Sequence, residues 1–325
     1  MLPRISHIGS GPYRIFVRDN ESNVAGPLFQ SGQSGSSGKD TVSKVWLITG
    51  SSRGLGRAFT KAVLEAGDRV LATARKPEQL ADLQTSYGGN IRAFALDVTD
   101  EAQARKAFEA AISSFGSLDV LVNNAGFGNV SPVEDTSLAD FRSQIETNLF
   151  GVIIMTKAVL PYFRERKAGH IVQVTSIAGR IGPAGRAPYA AAKFGVEGFS
   201  ESLSREVRPL GVKVTIVEPG GFRTDFAGIS TKLSEGRVEY DSTVGASVRF
   251  QRDYHGKQPG DPTRAAAALL HLVSLPDPPL RLLLGRDCYA LAEKSALEKL
   301  ESDRMWKDLS TSTDFVAAEG QGGNT

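Results

Sequence analysis

A tyrosine and a lysine stand four residues apart, at Tyr189 and Lys193, in the helix-favouring run Tyr-Ala-Ala-Ala-Lys. Residues at this spacing share one face of a helix, so the phenol and the ammonium group are expected to be neighbours. An unperturbed phenol has a pKa near ~10, and a nearby ammonium group stabilises the phenolate and lowers that pKa. The pair therefore predicts a group that donates and accepts a proton near neutral pH.

By itself, a Tyr-x3-Lys spacing more often marks a packed aromatic ring and a solvated charge. Ser176 supports the chemical interpretation, because it follows the apolar run from Ile171 to Thr175 and precedes Tyr189 by thirteen residues. From the end of a strand, its hydroxyl can hydrogen-bond a substrate oxygen and hold it against the tyrosine. The three residues together predict a proton-transfer site.

A glycine-rich segment, Thr49-Gly50-Ser51-Ser52-Arg53-Gly54-Leu55-Gly56, follows the first apolar run and precedes a predicted helix. Glycines in this context let the chain turn tightly and bring backbone amides to a pyrophosphate at the helix N-terminus. The spacing is Gly-x3-Gly-x-Gly and differs from the general Gly-x-Gly-x2-Gly dinucleotide fingerprint. The segment predicts a dinucleotide-phosphate site; the alternative is a tight turn alone.

The end of the second apolar run indicates which dinucleotide the chain prefers. An NAD site commonly has an acid there that binds the ribose 2′-hydroxyl, but this chain has Ala74 and Arg75, with no acid before Glu78. Arg75 can pair with a 2′-phosphate, and Arg53 in the glycine-rich segment can reach the same group. The two arginines favour NADP over NAD.

The elements that must position these residues follow from a regular alternation of apolar runs and helix-like segments. Continuous apolar runs are typical of parallel strands that are buried on both faces. The alternation predicts an α/β fold with a single doubly wound, Rossmann-type parallel sheet of seven strands and helices on both faces. The runs are Val45–Thr49, Val70–Ala74, Ile91–Leu96, Val120–Val122, Ile171–Thr175, Val212–Val217 and Leu282–Leu284.

The chain is predicted to have one catalytic domain over residues 44–309, which ends in a charged amphipathic helix. Residues 1–43 are interpreted as a disordered or loosely ordered extension because their Ser/Gly run is typical of a linker. Residues 310–325 are interpreted as a flexible tail. Residues 222–262 interrupt the alternation and are predicted to form a substrate lid.

Composition excludes several classes of protein. A net charge of +2 over 325 residues gives no strong attraction to nucleic acid. A single cysteine, Cys288, excludes an internal disulfide and fits a reducing, cytoplasmic location, and the four histidines lack metal-ligand spacing, so no metal site is expected. No apolar run reaches the ~18 residues of a membrane span.

Several motifs occur in order, and together they resemble the short-chain dehydrogenase/reductase family over Lys44 to Gly285. They are Thr49-Gly-x3-Gly-x-Gly56, Asp97-Val98, Asn123-Asn124-Ala125-Gly126, Asn148, Ser176, Tyr189-x3-Lys193 and Pro219-Gly220. The resemblance implies an NADP(H)-dependent oxidoreductase that interconverts a small-molecule carbonyl and an alcohol. It also implies a homodimer or homotetramer that pairs through the helices holding Asn148 and Tyr189.

The resemblance assigns roles to individual residues. Tyr189 is the proton donor and acceptor, Ser176 binds the substrate oxygen, Lys193 also binds the nicotinamide ribose, and Asn148 holds a water that connects Lys193 to solvent. The remaining residues would contact the cofactor along its length: Gly50, Ser52, Arg53, Gly54, Leu55, Gly56 and Arg75 at its phosphates, Asp97 and Val98 at the adenine, Asn123, Ala125 and Gly126 at its centre, and Pro219, Gly220, Phe222 and Thr224 at the nicotinamide.

Apolar lid residues favour a hydrophobic substrate: Phe226, Ile229, Leu233, Val238 and Phe250. Two alternatives remain open: a non-catalytic NADP-binding sensor or scaffold, and an epimerase or dehydratase on a related fold. A catalytically silent relative is expected to lose Tyr189, Lys193 or Ser176. The chain has all three, which favours the enzyme.

Overall fold

The computed structural model describes residues 43–228 and 231–315. In this part of the chain nine strands follow one another: β1 Val45–Ile48, β2 Arg69–Ala74, β3 Ile91–Ala95, β4 Val120–Asn123, β5 Gly128–Val130, β6 Gly169–Val174, β7 Val212–Pro219, β8 Thr231–Leu233 and β9 Arg281–Leu284. Seven of them form one parallel sheet in the order β3-β2-β1-β4-β6-β7-β9. The predicted seven-stranded Rossmann-type sheet is confirmed.

Ten α-helices lie in the described residues: α1 Gly54–Glu65, α2 Ala81–Tyr87, α3 Glu101–Phe115, α4 Leu138–Ile145, α5 Gly151–Arg166, α6 Ala187–Val207, α7 Ala246–Tyr254, α8 Pro262–Ser274, α9 Arg286–Met305 and α10 Lys307–Thr311. None of these helices is long and apolar enough to cross a membrane. The predicted C-terminal helix corresponds to α9 and α10. The predictions for residues 1–42 and 316–325 lie outside the described residues.

The sheet is buried on both faces, as the continuous apolar runs predict. In β1, alternate side chains enter opposite layers: Trp46 and Ile48 pack with residues of α1 and α8, and Val45 and Leu47 pack with residues of α3, α5 and α6. All four are at most 1% exposed. Burying a side chain of this size contributes about 1.5–3 kcal/mol, so the central strands make a rigid base for the segments that follow them.

The strand order reverses between β1 and β4, which are neighbours in the sheet although two strands separate them in sequence. In an open parallel sheet the crevice at such a reversal, outside the carboxyl ends of the strands, is where ligands bind. The segments after β1, β4, β6 and β7 meet there, and these segments carry most of the predicted site residues.

One predicted helical segment, Leu138 to Arg166, is helical throughout but not uniform. Between α4 and α5, residues Glu146–Phe150 form a π-helical turn, and the fully buried Asn148 lies in it. A π turn accommodates an extra residue in a helix and changes the direction of the side chains in it, and it is frequent at functional sites. The periodicity of the sequence does not reveal the turn.

The predicted lid, residues 222–262, contains structure of its own. Strand β8 pairs in parallel with β5, and α7 contributes Val248 to a small apolar cluster with Val130 and Val244. A bridge between Phe222 and Gly260 brings the two ends of the segment together. The segment is therefore attached to the domain at several points.

His170 gives the fold a sensitivity to acid. It lies in β6, is 4% exposed, and its Nε2 hydrogen-bonds with Thr215 Oγ1 at 3.0 Å. Burial, followed by the charge of Lys213, lowers the pKa of His170 from 6.5 to about 4. The unfolded chain therefore binds a proton at a higher pH than the folded protein, and stability must fall as the pH falls from 6.5 towards 4.

We expect His170→Gln to reduce this loss of stability. A shift of this size corresponds to roughly 3 kcal/mol, so the wild type should lose about that much more free energy of unfolding than the variant between pH 7 and pH 4. Urea denaturation at a series of pH values measures the difference. The exposed His271, replaced in the same way, serves as the control. Parallel pH profiles for wild type and His170→Gln would contradict the assignment.

Candidate active site

The glycine-rich segment forms a tight passage from β1 to α1. Gly50 and Gly54 have φ angles of +69° and +58°, which side chains rarely adopt. A Cβ on Gly56 would lie 2.3 Å from the carbonyl oxygen of Gly50, so the helix packs against the turn with no room for a side chain. No side chain caps the N-terminus of α1, which leaves its amides available to an anion.

The turn is fixed to the end of β4 by hydrogen bonds. Thr49 Oγ1 accepts from the backbone amides of Asn124 and Ala125 at 2.9 and 3.0 Å, and Asn124 Nδ2 donates to the Thr49 carbonyl at 2.9 Å. These bonds hold the segment after β1 and the segment after β4 together at the point where the strand order reverses. Asn124 was not among the predicted site residues, although its side-chain amide and Thr49 Oγ1 together join the two segments.

Next to this junction lies a cleft of about 1080 Å³. Most of the predicted cofactor residues line it, together with Ser176, Tyr189 and Lys193: Gly50, Ser52, Arg53, Gly54, Leu55, Arg75, Asp97, Val98, Ala125, Gly126, Pro219, Gly220, Phe222 and Thr224. A site of this volume and with a helix N-terminus at its wall fits a dinucleotide. Arg53 and Arg75 are both exposed.

Asn123 was predicted to contact the central part of the cofactor, but in the structure it does not line the cleft. Its side chain is 2% exposed and lies behind the cleft, where Nδ2 donates to Gln173 Oε1 at 2.9 Å and to Thr156 Oγ1 at 3.2 Å. Successive side chains of a strand point to opposite faces, so the next residue, Asn124, faces the cleft instead. Gly56 does not line the cleft either, and instead packs against Gly50 and the side chain of Asn124.

Tyr189, Lys193 and Ser176 line the same cleft and lie close to one another. Helix α6 begins at Ala187, so Tyr189 lies in its first turn, and Lys193 Nζ is 5.7 Å from the centroid of the tyrosine ring. The lysine also donates from Nζ to the Val174 carbonyl at 2.8 Å, which ties α6 to the end of β6. Both side chains are at most 5% exposed. The predicted shared helical face is confirmed.

The environment shifts the pKa values of both groups. Burial raises the pKa of Tyr189, and hydrogen bonding to Ser176 and the charge of Arg186 oppose this effect. Burial lowers the pKa of Lys193 to about 8, against the charge of Glu197. The prediction that Lys193 lowers the pKa of the phenol towards neutrality is therefore wrong for the protein without ligands, because burial outweighs the opposing effects and raises the pKa. The opposing charge is that of Arg186, which was not among the predicted site residues.

Asn148 is held by the main chain and does not line the cleft. Its Oδ1 accepts from the amide of Phe127 at 3.0 Å, and its Nδ2 donates to the carbonyl of the same residue at 2.8 Å. A Cβ on Gly126 would lie 2.8 Å from Oδ1 and 3.9 Å from Lys193 Nζ. Asn148 therefore fixes the segment after β4 beside the lysine.

The apolar lid residues separate into two groups. Phe226 and Phe250 line the cleft, and the Phe226 ring lies 5.6 Å from that of Tyr189. Leu233 packs against the small cluster around Val130, and Val238 is 84% exposed. The prediction for Ile229 lies outside the described residues. The two phenylalanines give the cleft an apolar wall on the lid side.

Comparison with known proteins agrees with this geometry. Residues 44–233 match the short chain dehydrogenase family. Oxidoreductase BOA17 of Botryotinia fuckeliana is 46% identical over 270 residues, which are 83% of this chain and 98% of that protein. A short-chain dehydrogenase from Streptomyces avermitilis is 38% identical with a TM-score of 0.79, and covers 85% of this chain and 100% of its own.

A structure of serine dehydrogenase complexed with NADP+ is more distant. It is 30% identical with a TM-score of 0.65, over 74% of this chain and 94% of its own. The family match covers more than half of the chain and includes β1 to β8. The matched region therefore contains the glycine-rich turn and the residues in the first turns of α6. The chain belongs to the short-chain dehydrogenase family of oxidoreductases.

Proposed function

We propose that the protein is an NADP(H)-dependent oxidoreductase that interconverts a carbonyl with a primary or secondary alcohol, with Tyr189 as the general acid and base. The observation that carries the proposal is the meeting of Ser176, Tyr189 and Lys193 in the cleft whose other end is the glycine-rich turn. The substrate is proposed to be hydrophobic because Phe226 and Phe250 line the same end.

The chain's own residues suit each part of such a cofactor. The uncapped start of α1 suits the pyrophosphate, and Arg53 and Arg75 suit a 2′-phosphate. Asp97 and Val98 line the cleft and are proposed to contact the adenine, and Pro219, Gly220, Phe222 and Thr224 also line it and are proposed to contact the nicotinamide. The NADP+ of the related serine dehydrogenase supports the choice of cofactor.

The proton transfer follows from the buried side chains. In reduction, Ser176 donates a hydrogen bond to the carbonyl oxygen and Tyr189 delivers its phenolic proton to that oxygen. The bound nicotinamide supplies the hydride in reduction and takes it in oxidation. Lys193 and Arg186 stabilise the phenolate that remains, and the proton is restored through Lys193. Oxidation reverses these transfers.

A non-catalytic sensor or scaffold would need only the dinucleotide half of the cleft. The placement of three proton-handling side chains at its other end favours the enzyme over that alternative. Epimerisation or dehydration on a related fold stays the second enzymatic candidate. The test is oxidation of NADPH, followed by absorbance, with a panel of aliphatic and aromatic ketones and aldehydes. Binding of NADP without turnover across the panel would contradict the proposal.

Arg75 provides the test of cofactor preference. We expect Arg75→Asp to reverse it, because the carboxylate repels a 2′-phosphate and accepts a hydrogen bond from a 2′-hydroxyl. The ratio of kcat/KM for NADPH to that for NADH should fall at least about 10-fold, since a charged phosphate contact contributes about 1.5–3 kcal/mol. Arg105→Asp, on the outer face of α3, is the charge-matched control. An unchanged ratio in Arg75→Asp would refute the role.

We also propose a cytoplasmic location, supported by the single, buried Cys288. A homodimer or homotetramer that pairs through the helices holding Asn148 and Tyr189 is proposed as well. Its support is the exposure of Leu138, Phe150 and Phe194 on these helices, since pairing through the helices would bury such side chains.

A further inference from the structure

Arg186 lines the cleft immediately before α6, three residues from Tyr189. Its backbone is fixed by Gly185, which has φ +80° and whose carbonyl accepts from the Ser131 amide at 2.9 Å. A Cβ on Gly185 would lie 2.9 Å from the side chains of Val130 and Val244, so the turn is closely packed. The position of Arg186 beside the phenol is therefore built into the fold.

The guanidinium group has a neutral partner. Its Nη2 donates to Gln251 Oε1 of α7 at 2.7 Å, and among the described residues no carboxylate forms an ion pair with it. Burial lowers the pKa of Arg186, and the charge of Tyr189 opposes this effect. A guanidinium group has five N–H donors, and the bond to Gln251 uses one of them.

Carboxylates do line the cleft, but they are engaged or exposed elsewhere. Asp287 accepts from the amide of Gly221 at 2.7 Å, and Asp140 accepts from the Ser137 hydroxyl at 3.0 Å. Glu146 lies in the π-helical turn beside Asn148. A half-buried arginine without a carboxylate partner is costly to the folded protein, and an anion that enters the cleft offsets that cost.

We infer that Arg186 is a specificity-determining residue that binds a carboxylate of the substrate, which is then an oxo acid or hydroxy acid with an apolar chain. A guanidinium group binds a carboxylate through two parallel hydrogen bonds, which also orients the molecule. With the carboxylate at Arg186, the carbonyl lies towards Tyr189 and Ser176, and the chain lies against Phe226 and Phe250. This inference rests on the proposed function, because it names the substrate class of the same site.

The test uses matched pairs of probes with NADPH: the 2-, 3-, 4- and 5-oxo derivatives of hexanoate and the methyl ester of each. For at least one positional isomer we expect the acid to have a kcat/KM about 10-fold or more above that of its ester. Arg186→Gln should remove this preference: kcat/KM for the acid should fall at least about 10-fold further than kcat/KM for its ester. Only the acid loses a partner for its carboxylate, whereas loss of the guanidinium charge beside Tyr189 affects both substrates alike. Arg249→Gln, an exposed arginine of α7 paired with Asp241, is the control and should change neither substrate.

Other outcomes overturn the inference. If every ester is reduced as well as its acid, or if Arg186→Gln lowers acid and ester equally, Arg186 does not bind a substrate carboxylate and acts only on Tyr189 and, through Gln251, on α7. If no probe is reduced, the proposed function fails. The inference is then tested separately by calorimetry, which compares the affinity of the protein for hexanoate with its affinity for the uncharged hexanamide. Binding of hexanoate that is lost in Arg186→Gln supports the anion site, and equal or absent binding of the two probes in the wild type refutes it.

Discussion

Tyr189→Phe is expected to lower kcat for carbonyl reduction by about three orders of magnitude, because it removes the proton donor and changes little else. The phenyl ring keeps its contact with Phe226 and its place beside Lys193, so the cleft keeps its shape. Affinity for NADP, measured by calorimetry, should therefore remain within about three-fold of the wild type. The loss should appear in kcat as well as in kcat/KM, because the interaction is made only in the transition state.

Tyr87→Phe is the matched control, since Tyr87 lies at the end of α2 and outside the cleft. It should leave both kcat and NADP affinity unchanged. Turnover by Tyr189→Phe within about ten-fold of the wild type would show that another group donates the proton. Loss of NADP binding in the same variant would instead indicate that the phenol has a structural role.

The second large effect is expected at Gly56, where alanine should disrupt dinucleotide binding. The new methyl group would lie 2.3 Å from both the Gly50 carbonyl oxygen and Asn124 Nδ2, and neither of these can move without breaking the junction between β1 and β4. Overpacking of this kind costs about 1–3 kcal/mol of stability. We expect that loss in urea denaturation, with NADP affinity reduced at least about 30-fold because the amides of the turn are displaced.

Gly198→Ala is the control for Gly56→Ala, because Gly198 also lies in a helix but a Cβ there would have no neighbour within 4 Å. There alanine should raise the free energy of unfolding by up to about 1 kcal/mol through its better helix propensity. If Gly56→Ala behaved like Gly198→Ala, close packing would not be the reason for a glycine in the first turn of α1.

The sequence predicts the sheet well because a strand buried on both faces is apolar at most of its positions. The run from Val45 to Ile48 illustrates this, since all four of its side chains are buried. The proximity of Tyr189 and Lys193 on α6 is equally predictable because a spacing of four fixes a shared helical face. In both cases the determining interactions lie within a few residues of chain.

What the sequence does not reveal depends on contacts between distant segments. Asn123 and Asn124 are chemically identical neighbours, and the point at which β4 ends decides which of them faces the cleft. In the sequence, Arg186 is indistinguishable from an ordinary charged residue of a loop. In the structure, the packing of Gly185 against Val130 and Val244 positions Arg186 beside Tyr189. The pairing of β5 with β8 joins residues about a hundred positions apart, and neither strand is longer than three residues.

The small sheet of β5 and β8 limits where the chain can change in length without moving the segment after β4. Strand β5 continues directly from the segment that Asn148 fixes, so β8 is held in register with the proton-transfer site. An insertion within either strand would shift that register, whereas the turns from Glu235 to Tyr240 can change length without affecting it. We therefore expect changes in the length of those turns, or in the side chains of α7, to alter the lid side of the cleft without moving the segment after β4.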